Sequence, residues 1–230
     1  MKKIFWLLAI SVGISSCASN EIANSKDVNQ DKIYQKYSVR YDESSNETHI
    51  KATFRFGGEN GTTLVLTPPS TVTFNGEKMT RYESDLVGAY YKTAQRKPLA
   101  NGQECKFVFT NTEEKEYTNS INFNPVLLGG IPTSLKKGNP LEFTMITNPL
   151  AYGEKITLKL KDTSHSVVFE VPNQQPKKQF VLPATVLKKL NGEVHLQAIR
   201  SYNIMLKDAT DEGGTINFEY ETKWHKFEIN

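Results

Sequence analysis

The chain has 230 residues, 38% of them hydrophobic and 23% charged, with 28 basic residues set against 25 acidic ones. A nucleic-acid binder needs a concentrated basic face, and only short, scattered clusters such as Lys177-Lys178 are present, which gives little support to any polyanion partner and argues against nucleic acid. Cys17 and Cys105 are the only cysteines, which excludes a disulfide framework and a zinc-type cysteine cluster.

The first element is a leader. Lys2 and Lys3 precede a mostly apolar stretch from Ile4 to Ile14, too short for a membrane span of about 20 residues but suited to a secretory signal. Ile14-Ser15-Ser16-Cys17 then resembles the lipobox of bacterial lipoproteins. The resemblance implies a signal peptide over 1–16, a thioether lipid on the Cys17 sulfur and acylation of the new amino terminus. By the same resemblance, Ala18 in place of an aspartate implies the outer membrane. One acyl chain binds a bilayer marginally, whereas two or three anchor it permanently. Cleavage would remove two bases and leave 26 against 25 acids, a nearly neutral chain. Residues 17–31 are polar and read as a flexible tether, with a reach of roughly 20 Å.

Residues 32–125 read as a first β-sandwich. Ile50, Ala52, Phe54 and Phe56 alternate with His49, Lys51, Thr53 and Arg55, giving one apolar and one wet face. Leu64 and Leu66 end at Pro68-Pro69, and Val72 and Phe74 lead into Asn75-Gly76, a tight-hairpin signal. Val87–Tyr91, Cys105–Thr110 and Tyr117–Phe123 are further strands, the last two joined by a charged turn at Glu113-Glu114-Lys115. Alternation groups Cys105 with Phe107 and Phe109, as a buried structural thiol.

Residues 126–230 read as a second sandwich. Leu141, Phe143 and Met145 alternate, as do Ile156, Leu158 and Leu160, then Val167, Phe169 and Val171. Phe180 and Leu182 precede Pro183–Leu190, where a proline and apolar residues at helical spacing predict one short helix. Val194, Leu196 and Ala198, then Tyr202, Ile204 and Leu206, and finally Ile216, Phe218 and Tyr220 complete the strands. About seven short strands per hundred residues is the count of an Ig-like sandwich. Ile131-Pro132-Thr133-Ser134-Leu135, a turn, and Leu141-Glu142-Phe143-Thr144 resemble bacterial extracellular Ig-like modules, in a family of tandem Ig-like surface lipoproteins of undetermined activity. The fold class expected is all-β, two tandem Ig-like or fibronectin-like β-sandwiches with one short helix in the second.

No nucleophile elbow, His-Glu-x-x-His, P-loop or dinucleotide fingerprint is present, and His49, His165, His195 and His225 stand far apart. The chain therefore reads as a non-enzyme with no cofactor beyond the covalent lipid. Asp208, Asp211 and Glu212 form the one acidic loop with oxygens for Ca2+, though calcium wants six to eight and the spacing is not that of an EF-hand. Tyr90, Tyr91 and Trp224 are the candidate ligand-binding residues, because exposed aromatics on a rigid sheet suit sugar rings or a protein hot spot. The function expected is a lipid-anchored envelope or surface module binding a polymer, such as a polysaccharide, or a protein. A structural or accessory subunit of an envelope assembly is the alternative, and a hydrolase with an unrecognised site the minor one.

Overall fold

A computed structural model describes residues 21–93, 98–151, 153–172 and 179–230. The leader, with Cys17, lies outside the described residues. The first half runs through β1 (Ile22–Asn24), β2 (Ile33–Asp42), β3 (Glu47–Phe56), β4 (Thr62–Val65) and β5 (Thr71–Phe74). Next come β6 (Glu77–Lys78), β7 (Thr80–Ser84), β8 (Gly88–Lys92), β9 (Glu104–Thr110) and β10 (Glu116–Asn122). The second half holds β11 (Val126–Gly129), β12 (Ser134–Leu135), β13 (Leu141–Thr147), β14 (Lys155–Lys161), β15 (Ser166–Glu170) and β16 (Gln179–Leu182). The short helix α1 (Ala184–Leu187), β17 (Gly192–Met205), β18 (Gly214–Glu221) and β19 (His225–Ile229) follow. The described residues are nearly all β, with one short α-helix, in the second half behind Pro183, as the sequence predicts.

Local chemistry sets the turns. Asn75 and Gly76 both take positive φ, 47° and 83°, the backbone that matches the twist of a two-residue hairpin. Between β9 and β10 the Asn111 side-chain oxygen accepts the N–H groups of Glu113 and Lys115, both at 2.9 Å, and so closes the charged turn.

Three sheets result. The large one orders its strands β1-β4-β3-β2-β18-β17-β14-β15, with β8 and β7 beside β3 and with β19 and β12 beside β17. A four-stranded sheet, β10-β9-β5-β6, covers it in the first half, and a three-stranded sheet, β11-β13-β16, in the second. The two halves share the large sheet: β18 pairs parallel with β2, from Gly214 opposite Gln35 to Glu221 opposite Asp42. Sequence alternation does not reveal this pairing, which crosses from one expected sandwich to the other.

The core follows the sheet. Tyr37 stacks on Phe107 and Phe54 packs on Phe109, each pair with centroids 4.5 Å apart. Tyr41 stacks on Tyr220 at 5.2 Å across the β2–β18 seam, and Phe123 meets Tyr41 and Phe218 edge-on. The inward faces of β13, β14 and β17 continue the same buried cluster. Cys105 lies in it, and burial, aided by Glu104, pushes its thiol up to about 12.

Of the segment 17–31 expected as a tether, the part from Ile22 onward is bonded into the fold. Ile22–Asn24 pairs parallel with Thr63–Val65 of β4, Ser25 is buried, and its hydroxyl accepts the Thr67 N–H at 2.9 Å. The buried Gln30 amide donates to Ser25 O and Val28 O at 2.7 and 2.8 Å. Polar side chains thus bond the segment to the sheet edge without any apolar alternation. Strands β7 and β19 are also additions to the sequence reading, and Val194–Ala198 and Tyr202–Ile204 belong to one long strand, β17.

Arg200 is what breaks the apolar pattern inside β17. It is fully buried and ion-paired with Glu154 through Nη2, and Nη1 donates to Thr147 Oγ1 at 2.6 Å and Asn148 O at 3.4 Å. Breaking a buried pair strands the remaining charge, at a cost of about 3–5 kcal/mol. Arg200→Met should lower urea-unfolding stability by about that amount, and R200M/E154Q should recover part of it. A loss under about 1 kcal/mol in the single variant would mean that the pair holds the loop without stabilising the core.

Candidate ligand-binding face

Cross-strand register arranges the outward side of the large sheet. Thr80, Lys92, Lys51, Ser38, Asn217 and Asn203 stand opposite one another in turn, one each from β7, β8, β3, β2, β18 and β17. Neighbouring strands lie about 4.8 Å apart, so this row spans roughly 24 Å of the sheet. On one side of it Tyr82 faces Tyr90; on the other lie His49, Arg40, Glu219, Ser201 and Lys155. A groove of about 490 Å³ runs there, lined by Ser38, Arg40, Lys155, Ser201, Asn203 and Asn217.

Tyr82 and Tyr90 stack at 5.8 Å with ring planes 15° apart. Lys51 Nζ lies 4.8 Å from the Tyr90 centroid, and Lys92 Nζ lies 5.0 Å from Tyr90 and 5.6 Å from Tyr82. Strand β7 pairs only with β8, so the 44%-exposed Tyr82 ends the stack at a sheet edge. Beyond it the β7–β8 turn carries Leu86 and Val87, both exposed. Burial first, then Lys92, Arg55 and Lys36, holds the Lys51 ammonium below the ordinary lysine value.

On the groove side Arg40 is compensated, while Lys155 has no ion pair among the described residues. Arg40 meets Glu219 at 2.9 Å and Glu221 at 2.6 Å. Burial and the adjacent Glu221 carboxylate raise the Glu219 carboxyl above its ordinary value. Both carboxylates are thus tied to one guanidinium.

The structure separates the residues singled out in the sequence. Tyr90 belongs to the stack, half-buried. Tyr91 does not: alternation turns it into the core, edge-on to Phe54 at 5.8 Å, where its hydroxyl accepts the Leu66 N–H at 2.6 Å. Tyr82 went unnoticed in the sequence because Thr80–Ser84 is exposed along nearly its whole length and shows no apolar alternation. The only available signal was an aromatic at pairing distance from Tyr90 across a short turn.

Trp224 forms a separate patch on the same side of the sheet. Lys161 Nζ lies 4.4 Å from its ring centroid and His195 sits edge-on at 6.4 Å. His195 Nε2 and Lys226 Nζ share Glu193 Oε1, at 2.9 and 3.1 Å. His195 is eight residues along β17 from Asn203, or roughly 26 Å at about 3.3 Å per residue.

Asp208 and the Glu212 backbone serve the fold. Asp208 Oδ2 accepts the Thr118 N–H at 2.6 Å, its carbonyl accepts the Asn119 amide, and Glu212 N–H donates to Asp31 O. Thr210, between them, donates its buried hydroxyl to Ile33 O at 2.6 Å. Among the described residues, no group of three or more His, Cys, Asp or Glu is placed to hold a metal ion.

No family model matches the chain, and no curated protein matches it. Among solved structures, it is similar to the Bacteroides ovatus mixed-linkage glucan utilization locus SGBP-B in complex with a mixed-linkage heptasaccharide, at 10% identity and a TM-score of 0.22. That similarity covers 80% of this chain and 52% of the other, so the chain spans about half of that protein's length. It is also similar to the tandem Ig repeats of Dlar, at 12% identity and a TM-score of 0.24, over 83% of this chain and 97% of the other. With TM-scores this low, the functional reading rests on the chain's own geometry.

One anchor of the Trp224 patch is testable through acid stability. Asp162 follows Lys161 and accepts the N–H groups of Ser164, His165 and Asn191 at 2.7, 2.6 and 3.0 Å. These bonds, led by that from Ser164, lower its carboxyl to about 2. A depressed carboxyl stabilises the fold above its unfolded pKa of about 4, and the contribution is lost as pH falls through the folded value. Asp162→Asn should therefore lower the melting temperature at pH 7, with the gap closing between about pH 4 and pH 2. A gap of the same size at pH 2 would assign the effect to shape.

Proposed function

We propose that the protein is a non-catalytic polysaccharide-binding module, held to the outer membrane by lipid on Cys17, with the outward side of its large sheet as the binding surface. The observation that carries the reading is the Tyr82–Tyr90 stack beside a row of hydroxyl and amide groups on neighbouring strands. Sugar rings have apolar C–H faces that pack on aromatics, and hydroxyls that Ser38, Asn203 and Asn217 complement. Strands fix these groups in advance, so binding forfeits little conformational freedom. The non-catalytic part is supported by chemistry: Arg40 occupies both Glu219 and Glu221, and His49 and His195 turn to Glu47 and Glu193 on their own strands.

A second observation favours the assembly-subunit reading at a different place. Leu127 and Ile146, 46 and 54% exposed, stand directly opposite each other on the outer side of the three-stranded sheet, and Val181, 50% exposed, lies farther along the same side opposite Glu142. Isolated exposed apolar residues are ordinary, whereas the paired Leu127 and Ile146 side chains suit a contact surface.

Affinity electrophoresis through polysaccharide gels tests the first reading. Tyr82→Ala and Tyr90→Ala should each weaken retardation about tenfold, the scale of a hot-spot aromatic, without shifting the melting temperature. Retardation that survives both but is lost in Trp224→Ala would move the site to the other patch. The anchor has its own measurement: Cys17→Ala should abolish acyl labelling and processing, and labelling that persists would refute the lipid attachment.

A further inference from the structure

Among the described residues, the tyrosine stack is where two ammonium groups without an ion pair stand directly opposite each other, whereas Lys155 and Lys161 on the same face stand opposite Ser201 and His195. Arg40 is neutralised by two carboxylates, Lys36 by Glu59 at 2.6 Å, and Arg81 by Glu83 at 3.3 Å. Lys51 and Lys92 stand opposite each other on β3 and β8, and neither has a carboxylate within ion-pair distance among the described residues. Arg55, on the same side of β3, gives Nη1 to Gly61 O at 2.6 Å. Two ammonium groups are therefore held side by side, their one compensation being the π-faces of Tyr82 and Tyr90. A cation over an exposed ring gains little, whereas like charges directly opposite on a sheet repel.

We propose that the ligand of this face is an anionic polysaccharide, a glycan bearing carboxylate or sulfate groups, whose rings pack at Tyr82 and Tyr90 while its anions meet Lys51 and Lys92. The inference rests on the reading of the face as a polysaccharide site and names the class of polymer. A neutral glucan would leave both ammoniums facing each other as before. An anion placed between them relieves their repulsion and gains two charge-assisted hydrogen bonds, roughly twice as strong as neutral ones. The lowering of Lys51 by burial and by its neighbouring cations fits a site whose anion is supplied from outside. Near-neutral overall charge does not oppose this, because attraction at a few ångströms is set by the local pair.

The test uses the purified chain in affinity gels of polygalacturonate, alginate and chondroitin sulfate. Each is run beside its charge-neutralised form (methyl-esterified or desulfated), with neutral β-glucan and polyglutamate as further gels. At least one acidic polysaccharide should retard the chain. Neutralising that polymer, or the double substitution Lys51→Gln/Lys92→Gln, should each weaken retardation about tenfold, with the melting temperature of the double variant not lowered. Equal retardation by charged and neutralised forms, or retardation untouched by the double variant, would overturn the anionic assignment and leave the tyrosine platform standing. Polyglutamate retarding as strongly as the glycan would also overturn it, showing charge without sugar recognition. No retardation by any polysaccharide, charged or neutral, would remove the polysaccharide reading and this inference with it.

Discussion

The structure depends on one pairing, that of β2 with β18. Parallel strands cannot be joined by a hairpin, and here the two partners come from opposite ends of the chain, Ile33–Asp42 and Gly214–Glu221. Every residue between them is a crossover. The pairing brings Tyr41 onto Tyr220, makes Phe123 a shared core residue, and lets Arg40 reach Glu219 and Glu221 on the outward side. Those ion pairs are partly exposed and worth little singly, about 0–1 kcal/mol; the buried aromatics beneath the seam are what hold it. Because the seam is hydrogen-bonded and not a linker, the polar row from Thr80 to Asn203 crosses it without a break.

Period-2 alternation made much of this fold legible. Ile50, Ala52 and Phe54, or Ile156, Leu158 and Leu160, declare their inward face because one-sided burial demands it. The Asn75-Gly76 hairpin and the helix behind Pro183 follow from backbone chemistry that few other residues satisfy. Elements that work by other means were silent. β1 and the segment after it are held by the Ser25 hydroxyl and the Gln30 amide, and β7 keeps nearly every side chain exposed. Arg200, a charge in the middle of β17, interrupts the very pattern by which a strand is recognised, because its partners on Glu154 and Thr147 are remote in sequence.

The candidate site was half legible for the same reason. Alternation required Tyr90 and Tyr91 to face opposite sides, and the structure decides which is outward: Tyr91 is buried and spends its hydroxyl on Leu66. What alternation cannot supply is register. Lys51 and Lys92 are 41 positions apart, and Tyr82 joins Tyr90 only once β7 folds back on β8. The sequence shows only short, scattered basic clusters along its length and so gives little support to a polyanion partner, yet pairing brings Lys51 and Lys92 together across the strands. The acidic loop shows the converse. Asp208, Asp211 and Glu212 are adjacent in sequence, but Asp208 turns to Thr118 and the Glu212 backbone to Asp31, so closeness along the chain makes no common site.

The outward face is thus divided in two by how its charges are met. On the Arg40 side, guanidinium and carboxylates cancel within the protein, leaving a groove whose other groups are hydroxyls, amides and the single Lys155 ammonium. On the tyrosine side, the rings take the place that carboxylates hold elsewhere, and an aromatic face attracts a cation without neutralising it. Had Glu stood where Tyr82 or Tyr90 stands, the lysines would be paired and the surface inert to anions. The choice of an uncharged partner keeps both ammoniums available while fixing their position, which is the condition for recognising a charged group on a polymer that otherwise offers only rings and hydroxyls.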